Sequence, residues 1–477
     1  MSLNKNKDSI DFGKLREKTS KITLLQLFIH FLNLLRSSIV YQHVGEEGFG
    51  VIAIITAYQS LSLFLSFPGT QLVVPRKLII MGNDERSYII SFHFIWILIS
   101  SCSYLLLLWN YIIIDNSEGS QVIKEFIKFV IPLLLLSNLL NLFRLVLNSL
   151  NRQVTVVKVE LVSKFVDVLV SVLLVKNYGI TALLIALLCS FIIGFISYTK
   201  ISLNLFSIKY TKNKVNLFIE LLKESKKFAL LNFLLYGSNF IGIYLLADLT
   251  NSSIVGVYAI AKLLILPITF VTNAFLSLLI PNYSLLNKEK NNLQLTAKKI
   301  ITFFANRAPI VFLTLFFVMP LFFKILYQDV DSKVFSVSLI MILIALNAFH
   351  EFNLNSVAIV ERADDYLIKA QIIAKTVYII SSFILIQNFG VHGLVYTELG
   401  SSMIYLTIMF LKYPFIKKEL VKVYLLIIEL VLLTYGLTYI ISNPLLSIIG
   451  GLISSIAYLL LDRNFLINLI RKNNHLN

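Results

Sequence analysis

Residues 126–150 read FIKFVIPLLLLSNLLNLFRLVLNSL, and every position from Ile131 to Leu136 is apolar. A transmembrane β-strand alternates lipid-facing and lumen-facing residues, so an unbroken apolar run argues against a barrel strand and favours a membrane-spanning helix. About 20 such residues cross the hydrocarbon core, and blocks of this kind recur along the whole chain. The predicted fold class is an all-α polytopic membrane protein.

The composition agrees with a membrane location for the chain as a whole. Of the 477 residues, 57% are hydrophobic and 14% are charged, whereas about 25% are charged in an average soluble protein. The two cysteines, Cys102 and Cys189, lie inside apolar runs, so neither a disulfide framework nor a paired metal site is expected. We predict no cofactor and no metal.

About fourteen transmembrane helices are predicted, each an apolar block between charged or Gly/Asn/Pro-rich breaks. The last two form an appended pair at the C-terminal end of the chain. The predicted spans are 22–41, 51–74, 88–114, 126–150, 154–175, 180–198, 228–249, 255–279, 300–327, 334–360, 366–386, 391–411, 423–441 and 445–461.

An internal repeat indicates two related lobes. At an offset of 206 residues Asn33 matches Asn239 and Gly50 matches Gly256, and at an offset of 211 Gly179 matches Gly390. Six spans in each copy are an even number, so both copies enter the membrane in the same sense. The predicted domains are an N-terminal six-helix lobe, a cytoplasmic amphipathic linker, a C-terminal six-helix lobe and an extra helix pair with a cytoplasmic tail: 1–208, 209–227, 228–414 and 415–477.

The distribution of cations predicts the topology. The formal net charge is +16, and with the N-terminus inside, the inner loops and tails hold 31 of the 42 Lys and Arg residues while the outer loops hold five. Lys and Arg are retained on the cytoplasmic side of inserted helices. Both termini are therefore predicted to be cytoplasmic, and the excess charge gives no reason to expect a nucleic-acid partner.

Six cations lie inside the predicted spans, five or more residues from either end, where a charge costs at least about 2.5–3.5 kcal/mol and normally faces water or a partner. We predict that they form a cationic substrate-binding cleft between the lobes. These residues are Lys262, Lys375, Lys164, Arg36, Arg307 and Arg144.

The alternatives to substrate binding differ among these cations. Lys262 and Lys375 have no acid within one turn of their own helix, which makes them the strongest candidates. Lys164 has Asp167 one turn away, so a structural ion pair is the alternative there. The three arginines lie close enough to span ends to reach the lipid head groups instead.

Neutral polar side chains at helical spacing in the first span, and at the matching repeat positions, are predicted to line the same cleft. They are Gln26, His30, Asn33, Asn232, Tyr236 and Asn239. An excess of cations favours an anionic ligand, and neutral donors and acceptors suit a sugar. Asp167, Glu351 and Glu398 are candidates for proton or sodium coupling, and the two glutamates are also candidate partners of the lysines.

Enzymatic function is not predicted. The sequence contains no Gly-rich phosphate loop ending in Lys-Ser/Thr, no His-Glu-x-x-His and no Gly-x-Ser-x-Gly motif. A membrane-embedded glycan polymerase or ligase would need a sizeable outer loop to hold an acceptor, and no predicted outer loop is long.

Three glycine- and proline-bearing motifs carry a family resemblance: VGEEGFG at 44–50, SIVGVY at 253–258 and PNYS at 281–284. They resemble the polysaccharide-transporter branch of the multidrug/oligosaccharidyl-lipid/polysaccharide exporter superfamily. The resemblance implies a flippase of the bacterial cytoplasmic (inner) membrane that moves an undecaprenyl-pyrophosphate-linked oligosaccharide, an O-antigen or capsule precursor, by alternating access. It also implies contact with membrane lipids and with glycan polymerase and chain-length machinery. A lipid II flippase and a drug/cation antiporter of the same superfamily are the alternatives.

Overall fold

The computed structural model describes residues 12–71, 73–74, 78, 82–115, 117–150, 152–202, 212–263, 265, 290–305, 326–327 and 332–414. No β-strand occurs among these residues. The helices are Phe12–Ser66 (α1), Asn83–Ile114 (α2), Glu118–Ser149 (α3), Gln153–Ser202 (α4), Lys212–Leu249 (α5), Ser252–Leu263 (α6), Lys290–Ala305 (α7), Ser332–Val360 (α8), Asp364–Phe389 (α9) and Val391–Lys412 (α10). In lipid a helix satisfies every backbone polar group within its own segment, which explains why the apolar blocks fold this way.

Eight of the described helices are long and apolar enough to cross a membrane. The predicted all-α membrane architecture is confirmed, while the number fourteen stays a prediction. The predicted spans 423–441 and 445–461 lie outside the described residues, as do most of 255–279 and 300–327.

Glycines bend the two longest helices into pairs. Helix α1 has 55 residues and α4 has 50, each more than twice the length that spans the hydrocarbon core. Gly45 (φ 58°) interrupts α1 and Gly179 (φ 51°) interrupts α4, both in the left-handed region that favours glycine. The predicted breaks after residues 41 and 175 coincide with these bends.

The bends at Gly179 and Gly390 are equivalent in the two repeats. Gly390 has φ 56° and separates α9 from α10. The chain folds back tightly there, because a Cβ at Gly393 would lie 2.0 Å from the carbonyl oxygen of Leu385. The sequence match between the two glycines therefore corresponds to a positive φ in both.

The chain forms two compact units. The first comprises Met1–Ala274 with Gln371–Leu394, and the second comprises Phe275–Ala370 with Val395–Asn477. In the first unit α1 packs against α4, α5, α3 and α2. In the second unit α7 packs against α8, and Tyr366 donates a hydrogen bond to the carbonyl of Ile408 at 2.7 Å. The lobe boundaries predicted from the repeat stay a prediction.

Reciprocal glycine contacts join α1 to α6 inside the first unit. A Cβ at Gly50 would lie 1.7 Å from the carbonyl oxygen of Ser252, and a Cβ at Gly256 would lie 1.8 Å from that of Glu46. Gly50 and Gly256 match at the repeat offset of 206, and so do residues 46 and 252. The two repeats thus cross backbone to backbone at equivalent points, in a contact that only glycine permits.

Polar contacts hold the N-terminal helices together. Asn138 of α3 is fully buried, and its amide donates to the hydroxyls of Ser62 at 2.6 Å and Ser101 at 2.9 Å. These hydroxyls belong to α1 and α2, so one side chain ties three helices. Nearby, an apolar core that includes Leu140, Phe143 and Tyr198 packs α3 against α4.

The described part of the predicted linker is helical and continues directly into the candidate membrane span Phe228–Leu249. Helix α5 runs without interruption from Lys212 to Leu249, through the predicted boundary at residue 227. Phe218 and Leu221 are buried while Ile219 and Glu220 are exposed, so this half of α5 is amphipathic with mixed exposure. Charged side chains are good helix formers and do not end a helix whose polar face meets solvent.

Candidate functional site

Three charged side chains meet within the N-terminal repeat. Lys164 Nζ donates to Asp167 Oδ2 at 2.5 Å, one turn along α4, and Arg36 Nη2 of α1 lies 3.1 Å from Asp167 Oδ1. Arg36 Nε also donates to Ser171 Oγ at 2.9 Å. The Asp167 side chain is 2% exposed. Two cations share one carboxylate, so the cluster carries one surplus positive charge.

The geometry of this cluster distinguishes between the two interpretations of Lys164 and of Arg36. Lys164 makes the ion pair with Asp167 that the sequence offers as the alternative to ligand binding. Arg36 is directed into the protein, towards α4, and makes its contacts there. Neither side chain is a lone cation, although together they exceed the charge of their shared acid.

The C-terminal repeat has a different arrangement at the equivalent positions. At the repeat offsets Lys164 corresponds to Lys375, Asp167 to Tyr378 and Arg36 to Gly242. Lys375 Nζ lies 5.3 Å from the centre of the Tyr378 ring, a cation–π geometry.

The equivalent helices touch in both repeats. A Cβ at Gly242 would lie 2.0 Å from Tyr378 Oη, so Tyr378 of α9 packs directly on α5 as Asp167 of α4 meets α1. In the C-terminal repeat a tyrosine takes the place of the aspartate, and a glycine takes the place of the arginine. Since one cation and no carboxylate remain, the surplus of one positive charge is the same in both repeats.

Lys262 lies close to the part of α5 that contains Gly242. Its Nζ is 3.3 Å from Asn239 Oδ1 and 5.4 Å from the centre of the Tyr258 ring. Asn239 and Gly242 are three residues apart, so Lys262 and Tyr378 border neighbouring turns of α5. Among the residues the structure describes, no carboxylate lies within ion-pair distance of Lys262 or Lys375.

A second ion pair joins α3 to α4. Arg144 Nε lies 2.8 Å from Glu160 Oε1, and Arg144 Nη1 donates to Asn141 Oδ1 at 3.4 Å. Glu160 is a residue that the sequence analysis missed. Its position one turn before Lys164, on the same face of α4, is the signal that could have revealed it.

The predicted neutral lining residues have varied surroundings. Gln26, His30 and Asn33 are half-buried on α1. Asn232 is 3% exposed and donates to the carbonyl of Phe67 at 3.0 Å, a packing contact between α5 and the end of α1. The side chain of Tyr236 lies outside the described residues, and so does Arg307.

The remaining candidate acids lie in the second unit. Glu351 is half-buried and accepts a hydrogen bond from Ser402 Oγ at 2.5 Å, and Glu398 is half-buried on α10. In the described part of the chain, no group of three or more His, Cys, Asp and Glu side chains is placed to hold a metal ion.

Comparison with known families identifies the chain's relationship. The family model for polysaccharide biosynthesis proteins matches residues 44–329, which is more than half of the chain. The chain therefore belongs to this family, and the resemblance found in the sequence is confirmed. No curated protein matches the sequence.

Solved structures support the same fold. The chain is similar to lipid II flippase MurJ in its inward closed conformation, with a TM-score of 0.74 and 12% identity over 93% of this chain and 99% of that chain. It is similar to an inward-facing multidrug resistance MATE family transporter of the MOP superfamily, with a TM-score of 0.59 and 14% identity over 85% and 98%. A Vibrio cholerae MATE transporter gives 0.59 and 13% over 84% and 96%. Identities this low establish the fold alone.

Proposed function

We propose that this member of the polysaccharide biosynthesis family is a flippase for an undecaprenyl-pyrophosphate-linked oligosaccharide repeat unit. The cargo is an O-antigen or capsule precursor, and it moves from the cytoplasmic to the outer leaflet by alternating access of two lobes. The observation that carries the proposal is the pair Lys262 and Lys375, two intramembrane cations with no carboxylate within ion-pair distance among the residues the structure describes.

A pyrophosphate needs this kind of compensation while it crosses the hydrocarbon layer. Two unit charges 4 Å apart attract by about 1 kcal/mol in water and by about 4 kcal/mol at an effective dielectric constant of 20. Lys262 and Lys375 are the cations best suited to the task, because each has a tyrosine ring beside it, Lys262 is exposed, and no described carboxylate competes for either. Arg144, by contrast, is committed to Glu160.

The cellular setting follows from the cargo and from the charge distribution. The protein lies in the bacterial cytoplasmic (inner) membrane with both termini in the cytoplasm, as the concentration of Lys and Arg in the predicted inner loops favours. Membrane lipids surround it, and the glycan polymerase and chain-length machinery receive its product. The protein itself is a transporter and performs no covalent chemistry.

Lipid II and a cationic drug are the alternative cargoes. Lipid II carries the same pyrophosphate and would use the same cations, so charge does not separate it from the proposed cargo. A cationic drug is disfavoured, because the surplus charge would repel it. Mass spectrometry of the lipid-linked intermediates that accumulate in cells lacking the protein distinguishes them, since the head group identifies the cargo directly.

Lysine substitutions test the role of the charges. Lys262→Ala and Lys375→Ala should each abolish export of surface glycan while membrane protein levels stay near normal. Lys412→Ala is the matched control, since Lys412 lies over Tyr366 at 5.5 Å in the same geometry but at the very end of α10. Full export in the Lys262/Lys375 double alanine variant would show that these cations do not carry the cargo.

Ion coupling is a separate part of the proposal. Asp167, Glu351 and Glu398 are the acids available for exchange of a proton or a sodium ion. Glycan export measured while the proton and sodium gradients are collapsed in turn tests this part. Export that persists without either gradient removes it and leaves the choice of cargo untouched.

A further inference from the structure

A cavity of about 290 Å³ lies within the N-terminal repeat, between the charged face of α4 and the neighbouring helices α1 and α3. It is separate from the surroundings of Lys262 and Lys375, neither of which lines it. Its polar wall contains two cations, two carboxylates and two serine hydroxyls: Arg144, Lys164, Glu160, Asp167, Ser163 and Ser190. Phe191 and Tyr198 supply aromatic surface.

The charges of this wall argue against a phosphate as its ligand. Arg144 is paired with Glu160, and Lys164 with Asp167, so the positive and negative charges lining the cavity cancel. A pyrophosphate entering the cavity would face two carboxylates at short range in a medium of low dielectric constant, where repulsion is strong. We therefore assign the pyrophosphate to Lys262 and Lys375 rather than to this cavity.

A sugar hydroxyl, in contrast, both donates and accepts hydrogen bonds, and the wall offers groups of each kind. The carboxylates of Glu160 and Asp167 accept, while Arg144 and Lys164 donate. Ser163 Oγ is buried and has no hydrogen-bond partner among the described residues, so it is available to a ligand or to water. Tyr198 is held rigidly, since its ring stacks on Phe143 at 6.0 Å and its hydroxyl donates to the carbonyl of Val156 at 3.3 Å.

The size of the cavity limits its occupant. A water molecule takes about 30 Å³ of liquid volume, so the cavity has the volume of about ten waters. That is room for one pyranose ring, and further sugar residues of the glycan would extend beyond this volume. Pockets for whole drug-sized ligands begin at about this volume.

We propose that this cavity binds a single sugar residue of the transported glycan, with Glu160, Ser163 and Asp167 directed at its hydroxyl groups. The inference rests on the proposed function, and it separates recognition of the sugar from compensation of the pyrophosphate. Arg36 adds one positive charge behind Asp167, which balances the single carboxylate of an acidic sugar but not the several charges of a pyrophosphate.

Substitution of Gly194 by a larger residue is a way to fill this cavity. A Cβ at Gly194 would lie 3.0 Å from Ser163 Oγ and 3.2 Å from a methyl of Leu140, so a larger side chain there enters the cavity. Gly400 is the matched control, because it is also a helical glycine and nothing lies within 4 Å of its Cβ position.

Saturation-transfer NMR on the purified full-length protein in detergent tests the proposal, with D-glucose and D-glucuronate as probes and inorganic pyrophosphate as competitor. We expect a sugar signal in the wild type and in Gly400→Ala that pyrophosphate does not displace, and at least a fivefold loss in Gly194→Leu. Should gel filtration show that Gly194→Leu does not fold, Ser163→Ala replaces it, with an expected loss of at least twofold.

Three outcomes would overturn the proposal: no sugar signal in the wild type, an equal signal in the cavity variant, or displacement of the sugar by pyrophosphate. Its failure is distinguishable from failure of the proposed function. If cells lacking the protein accumulate no lipid-linked glycan, the flippase proposal fails whatever the NMR result. If they accumulate it while the purified protein binds no sugar at this cavity, only the cavity assignment fails.

Discussion

Replacing Gly256 by alanine separates α6 from α1 at their closest approach. The new Cβ would lie 1.8 Å from the carbonyl oxygen of Glu46, whereas ordinary van der Waals contact begins at 3.4 Å. The two backbones must therefore move apart by about 1.6 Å, since no side-chain rotation relieves a clash between a Cβ and a carbonyl group. Gly50→Ala produces the same clash from the other side of the crossing, against Ser252.

The expected cost follows from the overlap. Overpacking of a well-packed interior destabilises a protein by about 1–3 kcal/mol. Alanine also improves helix propensity by about 1 kcal/mol over glycine, and this gain is common to every helical Gly→Ala change. Gly400→Ala makes the same change in open space, so the difference between Gly256→Ala and Gly400→Ala isolates the overpacking cost.

Thermal denaturation of the detergent-solubilised proteins measures this difference. We expect Gly50→Ala and Gly256→Ala to lower the midpoint relative to Gly400→Ala, and the double variant to lower it by less than the sum, because the first substitution already separates the helices that the second would clash with. Midpoints for Gly50→Ala and Gly256→Ala equal to that of Gly400→Ala, or strictly additive losses, would refute the close crossing.

Four further substitutions have definite expectations, each read from the same denaturation midpoint. Asp167→Ala leaves two cations without their shared carboxylate and should cost about 3–5 kcal/mol; an unchanged midpoint would mean that the cluster contributes nothing to stability. Asn138→Leu removes the amide that ties three helices and should cost about 1–3 kcal/mol, whereas a stabilised variant would show that packing outweighs these hydrogen bonds. Gly179→Ala should cost about 1–2 kcal/mol because of its positive φ alone, as its Cβ would meet nothing within 4 Å; Gly390→Ala should behave alike, and a difference between the two would argue against equivalent turns.

Much of the fold is legible in the sequence because hydropathy and glycine position act locally. The break predicted between residues 41 and 51 contains Gly45, where α1 bends. The match of Gly179 to Gly390 identifies two turns that each have a glycine with positive φ. The candidate membrane span in α5 begins at Phe228, where the predicted span begins, although the helix itself starts within the predicted linker, at Lys212.

The candidate site is less legible, because helical spacing shows which residues share a face but not which faces meet. The pattern along α4 revealed the Lys164–Asp167 pair. It did not reveal that Arg36, far away in the sequence, completes the cluster. Likewise the absence of an acid beside Lys375 was evident, while the packing of Tyr378 on Gly242 depends on two helices that only the folded chain brings together.

The crossing of Gly50 and Gly256 has the form of a self-complementary dimer contact enclosed within one polypeptide. Each glycine meets the residue equivalent to the one its counterpart meets, as in an isologous interface between identical subunits. The two halves of this chain therefore meet at this point as two copies of one subunit meet across a two-fold interface.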